Sequence, residues 1–395
     1  MKRSIRKNAG GRKNTSGMDP ARLRHLMAAM QEDIDADRYL GGVIAIGRHG
    51  KLALHQAIGH ADADRKRPVK KDSVFSLFSV TKAITVVLVL RAIERGQLAL
   101  TTPISDVVPE FSGRGREAIT IYHLLTHSSG LPSVYSAREG MYIDRLDEVV
   151  AEICKNVFPE EPPGLHVKYA PLAHHALMGD ALRRIDPKKR SYRQIVNEDL
   201  LKPLGMKDTA VGLRKDLRKR HLVPVFRGNS PTQHLGHSNL GPNGAFEEEL
   251  AEMPWVGIVS TAADMYRFAE MLRRGGELNG ARILSPTMVA RARHCWTGDK
   301  PNELYRKIFE GRGWEVLPAY IGLGFTLRGD RMGHALFGTL TSPETFGNHG
   351  AGTTLFWVDP ELDMSFVGLT TGVMNSDVNL ERWQRLCDIA VSAAT

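Results

Sequence analysis

The order of secondary-structure patterns along the chain most constrains its fold. A β-hairpin pattern occupies residues 42–59 (GVIAIGRHGKLALHQAIG), with its turn at His49-Gly50. Two further β-rich runs near the C-terminus, TLFWVDP and MSFVGLTTG, flank residues 361–363 as a second hairpin. Mostly helical patterns lie between the two ends. We therefore predict an α+β fold, in which both ends share one antiparallel sheet flanked by helices and the middle forms an inserted, mostly helical domain.

Helical periodicity adds detail to this outline. The segment from Ser79 to Gly96 has an almost wholly apolar interior, which indicates a buried helix. Thr261 and Asp264 form a capping-box pattern at the start of a helix that runs to about Arg274, so Asp264 has no predicted catalytic role. Residues 205–254 have weak periodicity and are predicted to be a long irregular connection. Further helices are predicted at 20–39, 119–127, 142–156, 171–185, 191–201 and 378–393.

Residues 1–17 carry much of the net charge. The formal net charge of the 395-residue chain is +9, and this stretch holds six basic residues and no acidic one. We predict a disordered basic tail, with a nucleic-acid arm or a start at Met18 as alternatives. No basic–aromatic interleaving occurs elsewhere, so nucleic acid is not a predicted partner. The remainder is predicted to divide into a sandwich domain, 18–80 with 241–395, and a mostly helical domain, 81–240.

Several classes of protein are disfavoured by what the sequence lacks. No stretch approaches the roughly 18 apolar residues of a membrane span, and no apolar signal-peptide core follows the basic tail. We therefore expect a soluble, cytoplasmic protein. The three cysteines, Cys154, Cys295 and Cys387, form no Cys-x-x-Cys pair and are predicted to be buried thiols. His174-His175 lacks a third ligand at a suitable spacing, so we predict no metal and no cofactor, and the oligomeric state stays open.

The motif Ser79-Val-Thr-Lys82 carries the strongest chemical prediction. Residues three apart share one helix face, and a helix N-terminus favours developing negative charge at Ser79. A buried lysine has a lowered pKa, so a neutral Lys82 would accept the serine proton. The pattern is short and has alternatives: a chance match, a serine that only caps the helix, or a lysine that reaches out to solvent.

Further phrases accompany this motif in a fixed order. They are SLFSVTKAIT at 76–85, ITIYHLLTHSSGLP at 119–132, PPGLHVKYAPLAHHALMGD at 162–180, GIVSTAADMYRFAEMLRRGG at 257–276, GLGF at 322–325 and FGNHGAGTTLFWVDPE at 346–361. Together they resemble the serine β-lactamase-like (penicillin-binding) superfamily over residues 40 to 390. That superfamily includes class C β-lactamases, D-alanyl-D-alanine peptidases, family VIII carboxylesterases and related acyltransferases. The resemblance implies an α/β sandwich, a helical domain and an active site between them.

The resemblance also implies roles for three residues. Ser79 would be the nucleophile and Lys82 its base, and Tyr169 would complete the catalytic group. Beside a cationic Lys82 we expect the phenolate of Tyr169 to be favoured. The alternative is a core tyrosine with a satisfied hydroxyl. His127 matches a family phrase at a helix end, where an imidazolium suits the helix dipole, and is predicted to be structural.

A third motif, Asn348-His349-Gly350, corresponds to the family's Lys- or His-x-Gly triplet. The ungapped register places Asn348 at the cation position, and a shifted register would place His349 there. The N–H groups of Ser79 and Ala351 would then form the oxyanion hole. All three triplet residues are predicted to bind substrate. Trp255 lines the acyl pocket in one interpretation and is a core aromatic in another.

Two departures from the family pattern bear on the substrate. Pro171 replaces an asparagine, and Asn348 replaces a cation, so a donor and a positive charge are missing. A site without an anion anchor disfavours β-lactams and peptide carboxylates. We therefore predict an esterase that acts on small neutral esters through an acyl-enzyme. The alternatives are an acyltransferase, an amide or β-lactam hydrolase, and an inactive binding module.

Overall fold

A computed structural model describes residues 16–228 and 248–395 of the chain. Most of the predicted basic tail, and residues 229–247 of the predicted irregular connection, lie outside the described residues. The strands are β1 (Gly41–Arg48), β2 (Lys51–Gly59), β3 (Val74–Ser76), β4 (Ala210–Val211), β5 (His221–Leu222), β6 (Val225–Phe226), β7 (Ile258–Ser260), β8 (Glu277–Leu278), β9 (Ala281–Arg282), β10 (Thr326–Leu327), β11 (Phe346–Gly350), β12 (Thr354–Asp359), β13 (Met364–Thr370) and β14 (Gly372–Val373).

Helices make up the rest of the regular structure. They are α1 (Pro20–Asp35), α2 (Thr81–Glu94), α3 (Ile104–Val107), α4 (Ile121–Leu125), α5 (Leu146–Asn156), α6 (Ala173–Ile185), α7 (Tyr192–Val196), α8 (Lys202–Leu204), α9 (Ala262–Arg273), α10 (Pro286–Ala292), α11 (Glu303–Arg312) and α12 (Ser376–Ser392). Short 3₁₀ helices lie at Phe78–Val80, Arg116–Ala118 and Lys215–Arg220, and Asn197–Leu201 forms one π-helical turn.

The main sheet joins the two ends of the chain. Its six strands have the order β10-β11-β12-β13-β1-β2, and every neighbouring pair is antiparallel. The first hairpin turns at His49 and Gly50, whose φ values of 51° and 70° suit the tight turn predicted there. The predicted α+β class, with an antiparallel sheet flanked by helices, is confirmed.

Both faces of this sheet are covered, which explains why β1 carries no polar side chain before Arg48. Successive side chains of a strand point to opposite faces. Val43 and Ala45 therefore enter the larger core, which includes Phe268 of α9, whereas Ile44 and Ile46 enter a second core with side chains of α1 and α12. The larger core also contains the buried side chains of α2 and α6. The domain boundaries stay a prediction, and this core includes residues from both sides of them.

Several local predictions differ from the structure. The helix predicted from Ser79 begins with a 3₁₀ turn, because Phe78 has a left-handed φ of 50°, and α2 proper starts at Thr81. Thr261 caps α9, but the Asp264 carboxylate accepts from Asp208 and Thr209 and so does not complete a capping box.

The predicted irregular connection also contains more regular structure than expected. Short strands β4, β5 and β6 and a 3₁₀ helix lie in its first part. Within the described ranges, no helix combines the length and apolar character that a membrane crossing needs. The cytoplasmic location stays a prediction.

Candidate active site

A short sheet positions Ser79 just before the N-terminal end of α2. Strand β3 pairs with β7, and the Leu77 N–H donates to the Ile258 carbonyl at 2.9 Å, so the chain reaches the 3₁₀ turn in a fixed position. Ser79 Oγ then lies 3.0 Å from Lys82 Nζ and 2.8 Å from the Tyr169 hydroxyl oxygen. The structure therefore brings together the three residues that were predicted to be catalytic.

Lys82 is buried, and none of the acidic side chains that the structure describes forms an ion pair with it. Its side chain is 2% exposed, and Nζ donates to Ser79 Oγ and, at 2.8 Å, to the Trp255 carbonyl. Both partners are neutral, so burial lowers the pKa of Lys82 well below its ordinary value. The alternative of a lysine that reaches out to solvent is wrong.

Burial has the opposite effect on Tyr169. It raises the pKa of the phenol, and the hydrogen bond with Ser79 only partly offsets this. The expected phenolate is therefore disfavoured, because desolvation, the largest cause of the shift, favours the neutral phenol. The directions of the two pKa shifts thus favour an uncharged amine and an uncharged phenol beside the serine hydroxyl.

The loop after α4 positions Tyr169. The His127 carbonyl accepts from the Lys168 N–H at 2.8 Å, and the His127 and Tyr169 rings are packed with their centroids 4.9 Å apart. Burial, with a smaller effect of Lys82, lowers the pKa of His127 to about 3. The predicted imidazolium is therefore wrong, and His127 supports the site as a neutral ring.

A buried hydrogen-bond chain determines the tautomer of His127. Ser129 Oγ accepts from the Leu131 N–H at 3.1 Å and lies 2.6 Å from His174 Nε2. Since Ser129 is buried, its own proton needs an acceptor, and His174 Nε2 is the one within reach among the described residues. The His174 proton must then lie on Nδ1, which is 2.9 Å from His127 Nδ1. His127 therefore accepts at Nδ1 and carries its proton on Nε2.

The end of β11 is pressed against the Ser79 turn. A Cβ atom on Gly350 would lie 2.4 Å from the Leu77 carbonyl oxygen and 2.9 Å from Ser79 N, so only glycine fits there. Thr354 Oγ1 donates to the same Leu77 carbonyl at 2.8 Å and fastens the strand to the turn. Ala351 follows with a φ of 41° and lines the cavity beside Ser79.

The cavity in front of Ser79 has a volume of about 600 Å³. Its wall includes Asn348, His349, Trp255 and Pro171. Asn348 Nδ2 donates to the Gly324 carbonyl at 3.2 Å, which fixes the orientation of its amide. Trp255 is 2% exposed and belongs to the larger core as well as to the cavity wall, so both interpretations of this residue apply.

Sequence reasoning missed several polar residues of the cavity wall, among them Tyr305, Lys307 and Arg312. Tyr305, on α11, lies with its hydroxyl oxygen 2.5 Å from His349 Nε2. No motif marked it, because its segment was not recognised as a helix and belongs to none of the family phrases. In residues 16–228 and 248–395 no group of three or more His, Cys, Asp or Glu side chains is arranged to hold a metal ion.

Comparison with known proteins identifies the family. The sequence model of the Beta-lactamase family matches residues 23–388. The chain belongs to the Beta-lactamase family. Esterase EstB of Burkholderia gladioli is 30% identical over 283 residues, which cover 65% of this chain and 71% of EstB. Esterase/beta-lactamase LipL of Mycobacterium tuberculosis is 25% identical over 380 residues, which cover 90% of this chain and 82% of LipL.

Solved structures show the same fold. A crystal structure of a family VIII carboxylesterase has a TM-score of 0.75 to this chain, with 19% sequence identity. The match covers 95% of this chain and 98% of that chain. The resemblance inferred from the motifs is thereby confirmed at the level of family and fold. The family is one of serine hydrolases that includes esterases and β-lactamases.

Two positions give this Beta-lactamase family member a distinctive cavity. Pro171 lines the wall and has no side-chain donor. Asn348 presents a neutral amide whose Nδ2 is already bonded to Gly324. Positions 171 and 348 therefore supply neither a free side-chain donor nor a cation, whereas Lys307 and Arg312 line other parts of the same cavity.

Proposed function

We propose that this protein is a serine hydrolase that cleaves small neutral esters through an acyl-enzyme on Ser79. The observation that carries the proposal is the position of Ser79 Oγ, 3.0 Å from the buried amine of Lys82 and 2.8 Å from the Tyr169 hydroxyl. A nucleophile needs a base within hydrogen-bond reach, and a neutral amine is able to accept its proton.

The proposed reaction starts from the neutral site. Ser79 Oγ attacks the ester carbonyl carbon while its proton passes to Lys82 Nζ. The carbonyl oxygen becomes an oxyanion, which the N–H groups of Ser79 and Ala351 stabilise. The Tyr169 hydroxyl donates its proton to the departing alkoxide, and the lysine ammonium returns a proton to the phenolate. The alcohol leaves, and the same groups then activate a water molecule that hydrolyses the acyl-enzyme.

The cavity supports the choice of a neutral substrate. Its volume of about 600 Å³ suits a small organic ligand. Asn348 supplies no positive charge at the position where the family carries a cation, so a substrate carboxylate gains no ion pair there. The name of the relative EstB, an esterase, agrees with this assignment.

The test measures turnover of p-nitrophenyl acetate by the wild type, Ser79→Ala and the control Ser392→Ala at the end of α12. We expect Ser79→Ala to lose several orders of magnitude in kcat and to form no acylated peptide detectable by mass spectrometry. The control should keep wild-type kinetics. Equal turnover by the wild type and Ser79→Ala refutes the proposal, and failure of a fluorophosphonate to label wild-type Ser79 favours an inactive binding module.

A second candidate function is β-lactam hydrolysis, which the name of LipL favours for that relative. A chromogenic cephalosporin distinguishes it from ester hydrolysis. Addition of an alcohol or amine acceptor during ester turnover tests for acyl transfer, because a transferase forms the new ester or amide at the expense of the free acid.

A further inference from the structure

A second, smaller cavity lies next to the one that contains Ser79. Its volume is about 100 Å³, and we call it the side chamber. The two cavities share Asn302, Tyr305, Ile321, Thr326, Leu336 and His349 as wall residues. Tyr305 and His349 are joined by a hydrogen bond of 2.5 Å. This pair is therefore part of the boundary between the two spaces.

The wall that belongs to the side chamber alone is mainly apolar. It includes Phe309, Val316, Leu317, Phe337 and Leu380. None of these side chains offers a hydrogen bond, and four of them, all but Val316, are buried. A space of this kind favours a hydrocarbon group over a polar one.

Arg306, Tyr320, His334 and Arg328 are the exceptions. The Tyr320 hydroxyl donates to Asp330, Arg306 pairs with Glu303, and the Nη atoms at the charged end of Arg328 are bonded to protein. Arg328 Nη1 donates to the carbonyls of Gly329 and Arg331, at 3.0 and 2.7 Å, and its Nη2 donates to the Thr339 carbonyl at 3.3 Å. These bonds hold the guanidinium on the backbone of the following loop. The methylene part of a buried arginine is apolar and is compatible with a hydrocarbon ligand.

We propose that the side chamber receives an unbranched apolar arm of the ester substrate, and that Tyr305 and His349 form the gate through which the arm passes. The proposal rests on the hydrolase function above, because the arm is anchored by the carbonyl group at Ser79. It narrows the substrate class to neutral esters with one linear hydrocarbon arm. Each methylene that enters an apolar space should raise kcat/KM about fourfold.

The experiment uses two series of esters. One lengthens the acyl arm (p-nitrophenyl acetate, butyrate, hexanoate and octanoate), and the other lengthens the alcohol arm of alkyl acetates. The measured quantity is kcat/KM relative to each enzyme's own rate with the acetate of that series. The series whose profile rises with length identifies the arm that enters the chamber.

Three variants test the chamber itself. Ala335→Leu and Ala319→Leu each add a larger side chain to its wall, and neither residue lines the main cavity. We expect each variant to lower kcat/KM for the butyrate or hexanoate, relative to its own value for the acetate, by tenfold or more. Tyr305→Ala removes one side of the gate, so the arm length with the highest kcat/KM should increase. Ala281→Leu, on a hairpin residue that lines neither cavity, is the control for adding a leucine.

The outcomes separate this proposal from the function on which it rests. If Ala335→Leu and Ala319→Leu keep the melting temperature of the wild type and the same dependence of kcat/KM on arm length, the side chamber is not a binding site. The use of two independent filling positions keeps the test valid where one variant fails to fold. If the wild type instead prefers esters whose arm ends in a carboxylate, and Arg328→Met loses this preference, the proposal of an apolar arm is overturned. Absence of acetate turnover and of Ser79 labelling in the wild type refutes the hydrolase function instead.

Discussion

Replacing Gly350 with alanine should separate strand β11 from the Ser79 turn. The new Cβ would lie 2.4 Å from the Leu77 carbonyl oxygen, whereas about 3.4 Å is an ordinary contact, so the strand must move by about 1 Å. An oxyanion donor works at about 2.7–3.1 Å, and a shift of about 1 Å takes the Ala351 N–H out of that range. Loss of one such donor costs about 3–4 kcal/mol, so we expect kcat to fall by about 10²–10³.

The assay is steady-state hydrolysis of p-nitrophenyl acetate, with thermal unfolding measured on the same samples. The matched control is Gly42→Ala in β1, where a Cβ would lie 2.6 Å from the Leu369 carbonyl oxygen. Both variants strain the same sheet, but only Gly350 touches the Ser79 turn. We expect the control to lose stability and to keep the kcat of its folded fraction. A Gly350→Ala enzyme with kcat within tenfold of the wild type refutes the proposed oxyanion hole.

Four further predictions concern the reacting groups and the residues around them. Tyr169→Phe should lower kcat by about 10²–10⁴, the usual contribution of a general acid, and stopped-flow kinetics should show the loss. Because burial lowers the pKa of Lys82, activity should be present above that pKa and fall as pH decreases through it, and Lys82→Arg, always charged, should be inactive at every pH. His127 and His349, with pKa values of about 3 and 4, should add no step to this profile above pH 5. Asn348→Lys should raise the ratio of cephalosporin to ester hydrolysis, because it restores a cation for the substrate carboxylate.

Most of the fold was predictable because its patterns are local. The first hairpin follows from alternating side chains around His49-Gly50, and α2 from its continuous apolar run. Irregular backbone conformations within or next to a helix could not be predicted in this way. The left-handed Phe78 and the π-helical turn at Asn197–Leu201 depend on tertiary packing, since no residue type in either segment requires them. Helix α11 was not predicted although its residues are amphipathic, and Phe309 is the residue that it buries.

The residues of the candidate site could be predicted from the sequence, but their charge states could not. Ser79, Lys82 and Tyr169 stand in recognisable phrases, and the structure places their polar atoms within hydrogen-bond distance. The charge states of Tyr169 and His127 were predicted wrongly, because a sequence shows neighbouring charges but not the depth of burial. Desolvation is the largest cause of the pKa shift in both residues.

The pairing of β1 with β13 has a consequence for the order of synthesis. Arg48 faces Met364 across the sheet, so 364 − 48 = 316 residues of chain separate the two partners. At about 5–20 residues per second, a ribosome needs roughly 16–60 seconds to make that stretch. During this interval the edge of β1 that β13 later covers is unpaired, which leaves the nascent chain open to strand pairing with other chains.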